Sequence, residues 1–280
     1  MKKILFTCLA FVWAISSQAQ NNFATAKEQG KAALVVHYLD NYPFAYQSDE
    51  GQLTGLEIDV VMAFADWLMR VKEIKLSVEF VPYTDFAKVY DKIKTATDGQ
   101  IGLASATITK ERQKEVLFTP PYLKNVSVLV TNIDVPTLRA YSDMPVFFEN
   151  MTALVMRGTV LETHLLDVRK KYFEKMRVTY VEHPKEVVQQ IAETNSQYFG
   201  YVDILTYWAL LKEKPSNLKI HRVANLGNQF FGLMLPKESS WGSAWSEFME
   251  AGFGFAATET YYNILQRHLS YEVIETVSMP

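Results

Sequence analysis

Apolar positions along this chain switch repeatedly between strand-like and helical spacing. Residues 32–38, AALVVHY, form an apolar run of strand length. The turn-rich LDNYPFAYQSDEGQLTG follows, where Pro43, Gly51 and Gly55 interrupt regular structure. From Leu56 to Val71 the spacing turns helical, with Ile58, Val61, Met62, Ala65 and Leu68 on one stripe. KLSVEFVPY (75–83) alternates as a strand, FAKVYDKIKTA (86–96) reads as a helix and QIGLASATI (100–108) as a further strand. Thr109 is placed to cap a helix opening at Lys110. VSVLVTNI (126–133) is a β-branched run and hence a strand.

The plan then repeats. TALVMRGTVLETHLLDVRKKYF is a strand, a glycine turn at Gly158 and a helix, and RVTYVEH, PKEVVQQIAET, QYFGYVDIL and TYWALLKEK continue the alternation. KIHRVAN and QFFGLMLP read as strands, and the stretch from Ser243 to Leu269 is helical. Alternating strands and helices predict an α/β protein with a largely parallel sheet. Two similar units are expected, the second running from near residue 132 to near 226.

Composition changes this picture little. Of 280 residues, 49% are hydrophobic and 21% charged, enough to bury a core, and a net charge of −3 gives no reason to expect nucleic acid or an anionic membrane. The first twenty residues change it more. Two lysines, an apolar run from Ile4 to Ile15 and then small residues have the layout of a secretory leader, with cleavage expected just after Ala19. Cys8, the single cysteine, lies mid-run rather than at a lipidation position. An exported chain without it has no disulfide, thiolate metal site or thiol nucleophile.

Chemistry concentrates in ASATITKERQKEVLFTPPY (104–122), where Ser105, Thr107 and Thr109 precede Arg112. A guanidinium offers two parallel donors to a carboxylate, and hydroxyls can complete that shell. Read alone, KERQKE reads first as a solvated helix face. Asp203, ending an apolar strand, is either a helix N-cap or a group facing the crevice at strand C-termini. Gly158 and Thr159 precede a helix, and their amides either attract an anion or form an ordinary capped turn. The five histidines show no ligand-like spacing, and there is no Gly-x-Ser-x-Gly.

In combination and in order, six segments resemble the family-3 extracytoplasmic solute-binding proteins of amino-acid ABC importers. They are YPFAYQSDEGQLTGLEIDVVMAFA, VPYTDFAKVYDKI, LASATITKERQKEVLFTPPYLKNVSVLV, MRGTVLETHL, YFGYVDILTYWALL and YYNILQRHL, and the resemblance covers roughly residues 32–270. It implies a type II, two-lobe α/β fold with two hinge strands and a central cleft that closes on ligand. The expected division is a leader at 1–19, lobe one at 20–131 plus 227–280, and lobe two at 132–226.

The same resemblance implies that Arg112, with Ser105 and Thr107, takes a ligand carboxylate and Asp203 its ammonium. Gly158 and Thr159 would face the cleft, and Phe86 with one of Tyr42, Phe44 or Tyr46, Tyr42 foremost, would wall the ligand's side chain. Asn41, Tyr38, Gln100 and Tyr198 depart from the family's usual residues, which leaves the side-chain pocket open. The implied protein is a periplasmic monomer that binds a small molecule, plausibly an amino acid, and delivers it to an ABC permease. No cofactor, metal or nucleic acid is expected. The rival readings are a dehydratase of cyclohexadienyl acids on the same lobes, or a ligand-sensing module.

Overall fold

The computed structural model describes residues 22–213 and 217–279; the expected leader lies outside them. In chain order, Phe23–Gln29 (α1) leads into Lys31–Leu39 (β1). Tyr46–Gln47 (β2) and Leu53–Thr54 (β3) make a small hairpin ahead of Leu56–Lys72 (α2). Gly55 separates the hairpin from the helix at φ +131°, and a Cβ there would stand 2.3 Å from the Phe44 carbonyl oxygen, so the motif's glycine is a steric requirement. The stripe α2 buries includes Ile58, Val61, Phe64 and Leu68. Met62, expected on it, is about half exposed.

Lys75–Tyr83 (β4), Phe86–Lys94 (α3), Gln100–Leu103 (β5) and Val116–Phe118 (β6) continue the first body. The strand expected over 100–108 ends at Leu103, because Ser105 turns into the left-handed region at φ +42°. The helix expected after Thr109 is one 3₁₀ turn, Arg112–Lys114.

Leu123–Asn132 (β7) then crosses to a second body. This body holds Met144–Phe147 (α4), Thr152–Met156 (β8), Val160–Tyr172 (α5), Arg177–Val181 (β9), Pro184–Glu193 (α6), Tyr198–Asp203 (β10), Ile204–Glu213 (α7) and Leu218–Ile220 (β11). A 3₁₀ turn at Arg222–Ala224 replaces the rest of the expected KIHRVAN strand. Leu226–Phe231 (β12) returns antiparallel to β7. The single strand expected over QFFGLMLP is two, because Gly232 and Leu233 separate β12 from Met234–Pro236 (β13), which joins the other sheet. Gly242–Glu250 (α8), Glu259–His268 (α9) and Tyr271–Val277 (α10) close the chain.

The first sheet is ordered β4-β1-β5-β13-β6, with β1 parallel to β4 and β5. One face packs on α2, α8, α9 and α10 through Phe64, Leu68, Trp241, Trp245 and Leu265. The other lies under α3 through Val89, Ile93 and Val116. The second sheet is ordered β11-β7-β10-β8-β9, with β12 also on β7, and it has a core on each face. Phe148, Leu165 and Phe199 fill one core, and Leu154, Val187 and Val202 the other. The joining strands change cores along their length. Leu123 and Phe231 belong to the first body's core, whereas Val128, Leu129 and Leu226 pack in the second body.

Candidate functional site

Residues at or just past the C-terminal ends of β5, β8 and β10 line one cavity, the position where α/β sheets carry their crevices. On the first body the decisive turn follows β5. Ser105 donates its backbone N–H to Glu57 Oε1 at 3.0 Å, and the Tyr122 hydroxyl donates to the same oxygen at 2.6 Å. Glu57 sits in the first turn of α2 with no exposed surface. Burial pushes its carboxyl up to about 7, against the pull of those two hydrogen bonds. The outcome is a peptide turn at Ser105 pinned from beneath.

Past that turn, Thr109 Oγ1 accepts the Arg112 N–H at 3.1 Å, so the expected cap is made although only a 3₁₀ turn follows. The guanidinium folds back. Its Nη1 donates to the Thr107 carbonyl at 3.1 Å and its Nη2 to the Gly158 carbonyl, on the other body, at 3.0 Å. It lies 4.6 Å from the Phe86 ring centroid, a cation–π distance. Among the described residues no carboxylate pairs with it. Desolvation therefore pulls its pKa down, with only the neighbouring Tyr90 acting the other way. An arginine still keeps its charge under such a pull.

On the second body, Gly158 takes φ +71° between β8 and α5, with open space where a Cβ would stand. Thr159 caps α5, accepting the Glu162 N–H at 3.2 Å. Glu162 in turn accepts the Gly158 N–H at 2.8 Å. The amide expected to attract an anion is thus held by the chain's own carboxylate, and Gly158 presents its carbonyl to Arg112 instead. Asp203 ends β10 and caps α7, with Oδ1 accepting the Thr206 N–H at 2.9 Å and Oδ2 the Thr206 hydroxyl at 2.7 Å. Burial raises its pKa, opposed by the Thr206 bonds.

These groups surround a cavity of about 70 Å³. Ser105, Thr107, Arg112 and Phe86 line it from the first body, and Thr159 and Asp203 from the second. For Asp203 the two readings open in the sequence coexist, since it caps a helix and lines the cavity. Tyr42 does not reach it. Its ring packs against Tyr46 at 4.7 Å between centroids and lines a separate cleft of about 690 Å³. Sequence reasoning missed Asn125 and Ser127, buried polar residues of β7 on the cavity wall. Their signal was there: two polar side chains at i and i+2 in an otherwise apolar strand point to one face. Asn125 Nδ2 donates to Thr107 Oγ1 at 3.0 Å, and Ser127 Oγ donates to Asn125 Oδ1 at 3.3 Å.

The model of the bacterial extracellular solute-binding proteins, family 3, matches residues 34–268. The chain belongs to that family. That family is extracytoplasmic, and among the described residues no helix is long and apolar enough to cross a membrane. Two curated relatives are similar to this family-3 chain. A probable amino-acid ABC transporter-binding protein of Haemophilus influenzae is 28% identical over 148 residues, 51% of this chain and 54% of that protein. The probable amino-acid-binding protein YxeM of Bacillus subtilis is 26% identical over 144 residues, 51% of each. The chain thus spans about half the length of these relatives. Among solved structures, an ancestral arginine-binding protein bound to arginine superposes with a TM-score of 0.67 at 23% identity, covering 85% of this chain and 98% of that one. That likeness is one of fold, the two-lobe type II architecture.

Proposed function

We propose that this protein binds a small zwitterionic solute, an amino acid, in the cavity between its two bodies, and delivers it to an ABC importer. The observation that carries this reading is Arg112, a half-buried guanidinium on the cavity wall with no carboxylate partner among the described residues. A charge taken from water without a counter-ion is costly, and an incoming carboxylate relieves that cost. Asp203 on the opposite wall is the matching acceptor for an ammonium, since its Thr206 bonds leave acceptor capacity on both oxygens.

In this reading the lobes divide within β7 and β12, and those strands flex as the cleft shuts. The Arg112–Gly158 bond then belongs to the shut form. The protein acts as a monomer exported by the leader ending at Ala19, with a permease as its membrane partner, and it returns its ligand unchanged. Cyclohexadienyl acids incubated with it should show no turnover.

The test is a thermal-midpoint screen over the twenty amino acids, because a ligand that binds only the native state raises the midpoint. At least one should raise it in a saturable manner. A flat response across all twenty contradicts the proposal.

A further inference from the structure

Two charged side chains, Arg112 and Asp203, are the only ones on the cavity wall among the described residues. A zwitterion's carboxylate and ammonium use both, which leaves nothing to pair with a third charge. The nearest further acid, Glu57, is enclosed beneath Ser105 and does not line the space. At the start of α5, Glu162 already accepts the Gly158 N–H. An uncompensated charge in such a site costs several kcal/mol, enough to exclude it in practice.

Most neutral polar groups on the wall are also committed: Thr107, Asn125 and Ser127 bond to one another, Thr159 donates its hydroxyl to the Met156 carbonyl, and the Tyr201 hydroxyl pairs with Tyr141 and His164. Beside Thr159, Tyr201 and Asp203, the second body's wall is hydrocarbon: Met156, Val160, Leu161, Pro184, Val187 and Val202. Size points the same way. A cavity of about 70 Å³ holds roughly five to seven waters at ~10–15 Å³ each, which is about as many non-hydrogen atoms as alanine or valine carries and about half those of arginine. The wider cleft beside Tyr42 and Lys212 shares no wall residue with it.

We infer that the solute is a small, neutral amino acid with an aliphatic side chain, of the size of alanine to valine, and that arginine, lysine and glutamate are excluded. This rests on the proposed binding role of the same cavity. The experiment is calorimetric titration of the wild-type protein with L-alanine, L-valine, L-arginine, L-lysine and L-glutamate. Alanine or valine should bind at least tenfold tighter than any of the three charged amino acids. A charged amino acid that binds as tightly or tighter overturns the size and charge inference while leaving the binding role intact. Absence of binding by all five, with the twenty-amino-acid screen also flat, overturns the binding role itself.

Discussion

Arg112 Nη2 reaches the carbonyl of Gly158 at 3.0 Å, tying the turn after β5 to the turn after β8 across the cavity. Both ends of that bond depend on unusual local backbone. Arg112 is aimed by a 3₁₀ turn capped by Thr109, and the Gly158 carbonyl by a left-handed residue. Gly158→Ala meets no atom within 4 Å, so its cost is the left-handed backbone alone, about 1–2 kcal/mol. A loss of unfolding free energy of that amount, with ligand affinity reduced less than tenfold, is expected. A loss of affinity as large as that of an Arg112 variant would mean that Gly158 contacts the solute.

Asp203 holds two jobs that one pair of substitutions separates. Asparagine caps helices about as well as aspartate, so Asp203→Asn should change unfolding stability by less than about 1 kcal/mol. It removes the charge facing an ammonium, and affinity should fall by about 2–5 kcal/mol, as when one partner of a buried charge pair is lost. Asp203→Ala should lose both. Denaturant melts alongside calorimetric titrations read the two effects, and an Asn variant with unchanged affinity would assign Asp203 to capping alone.

Glu57 gives the fold a pH dependence with a definite sign. Its carboxyl is raised by burial from 4.5 to about 7. Between those values the folded chain holds a proton that the unfolded chain has lost, so stability falls as pH rises. The contribution is fully present below 4.5 and gone above about 7, a change of about 3 kcal/mol. Glu57→Gln keeps an acceptor for Ser105 N–H and Tyr122 OH and removes the titration. Wild-type stability should therefore drop between pH 4.5 and 7.5 by about 3 kcal/mol more than that of Glu57→Gln. Parallel profiles for the two proteins in chemical denaturation would contradict this.

The sequence carried the fold wherever period and punctuation agreed. α2, β4, α3, β8 and α5 fall where spacing puts them. It failed where the chain changes partner. β12 and β13 read as one strand because both are apolar, and only the sheet order reveals that Gly232 and Leu233 pass the chain from one body to the other. Ser105 read as strand because nothing local marks a serine for the left-handed region. The cause is Glu57, 48 residues away, accepting its N–H.

Of the candidate residues read from the sequence, Arg112, Ser105, Thr107, Phe86, Thr159 and Asp203 line one cavity, whereas Gly158 and Tyr42 are not on its wall. Tyr42 was misplaced because a nearby proline and aromatics mark a turn without saying which way its rings face, and this one turns toward Tyr46. The occupied amide at Gly158 followed from Glu162 standing in the first turn of α5, a signal present in GTVLE but outweighed by the glycine.

The central claim is that Arg112 pairs with a carboxylate of the solute. Calorimetric titration of wild type and Arg112→Ala, with the amino acid that most raises the thermal midpoint, tests it most directly. One-to-one binding by wild type and a loss of about 2–5 kcal/mol in the variant, roughly thirtyfold or more in Kd, is the expected result. Equal affinity in the two proteins would contradict it.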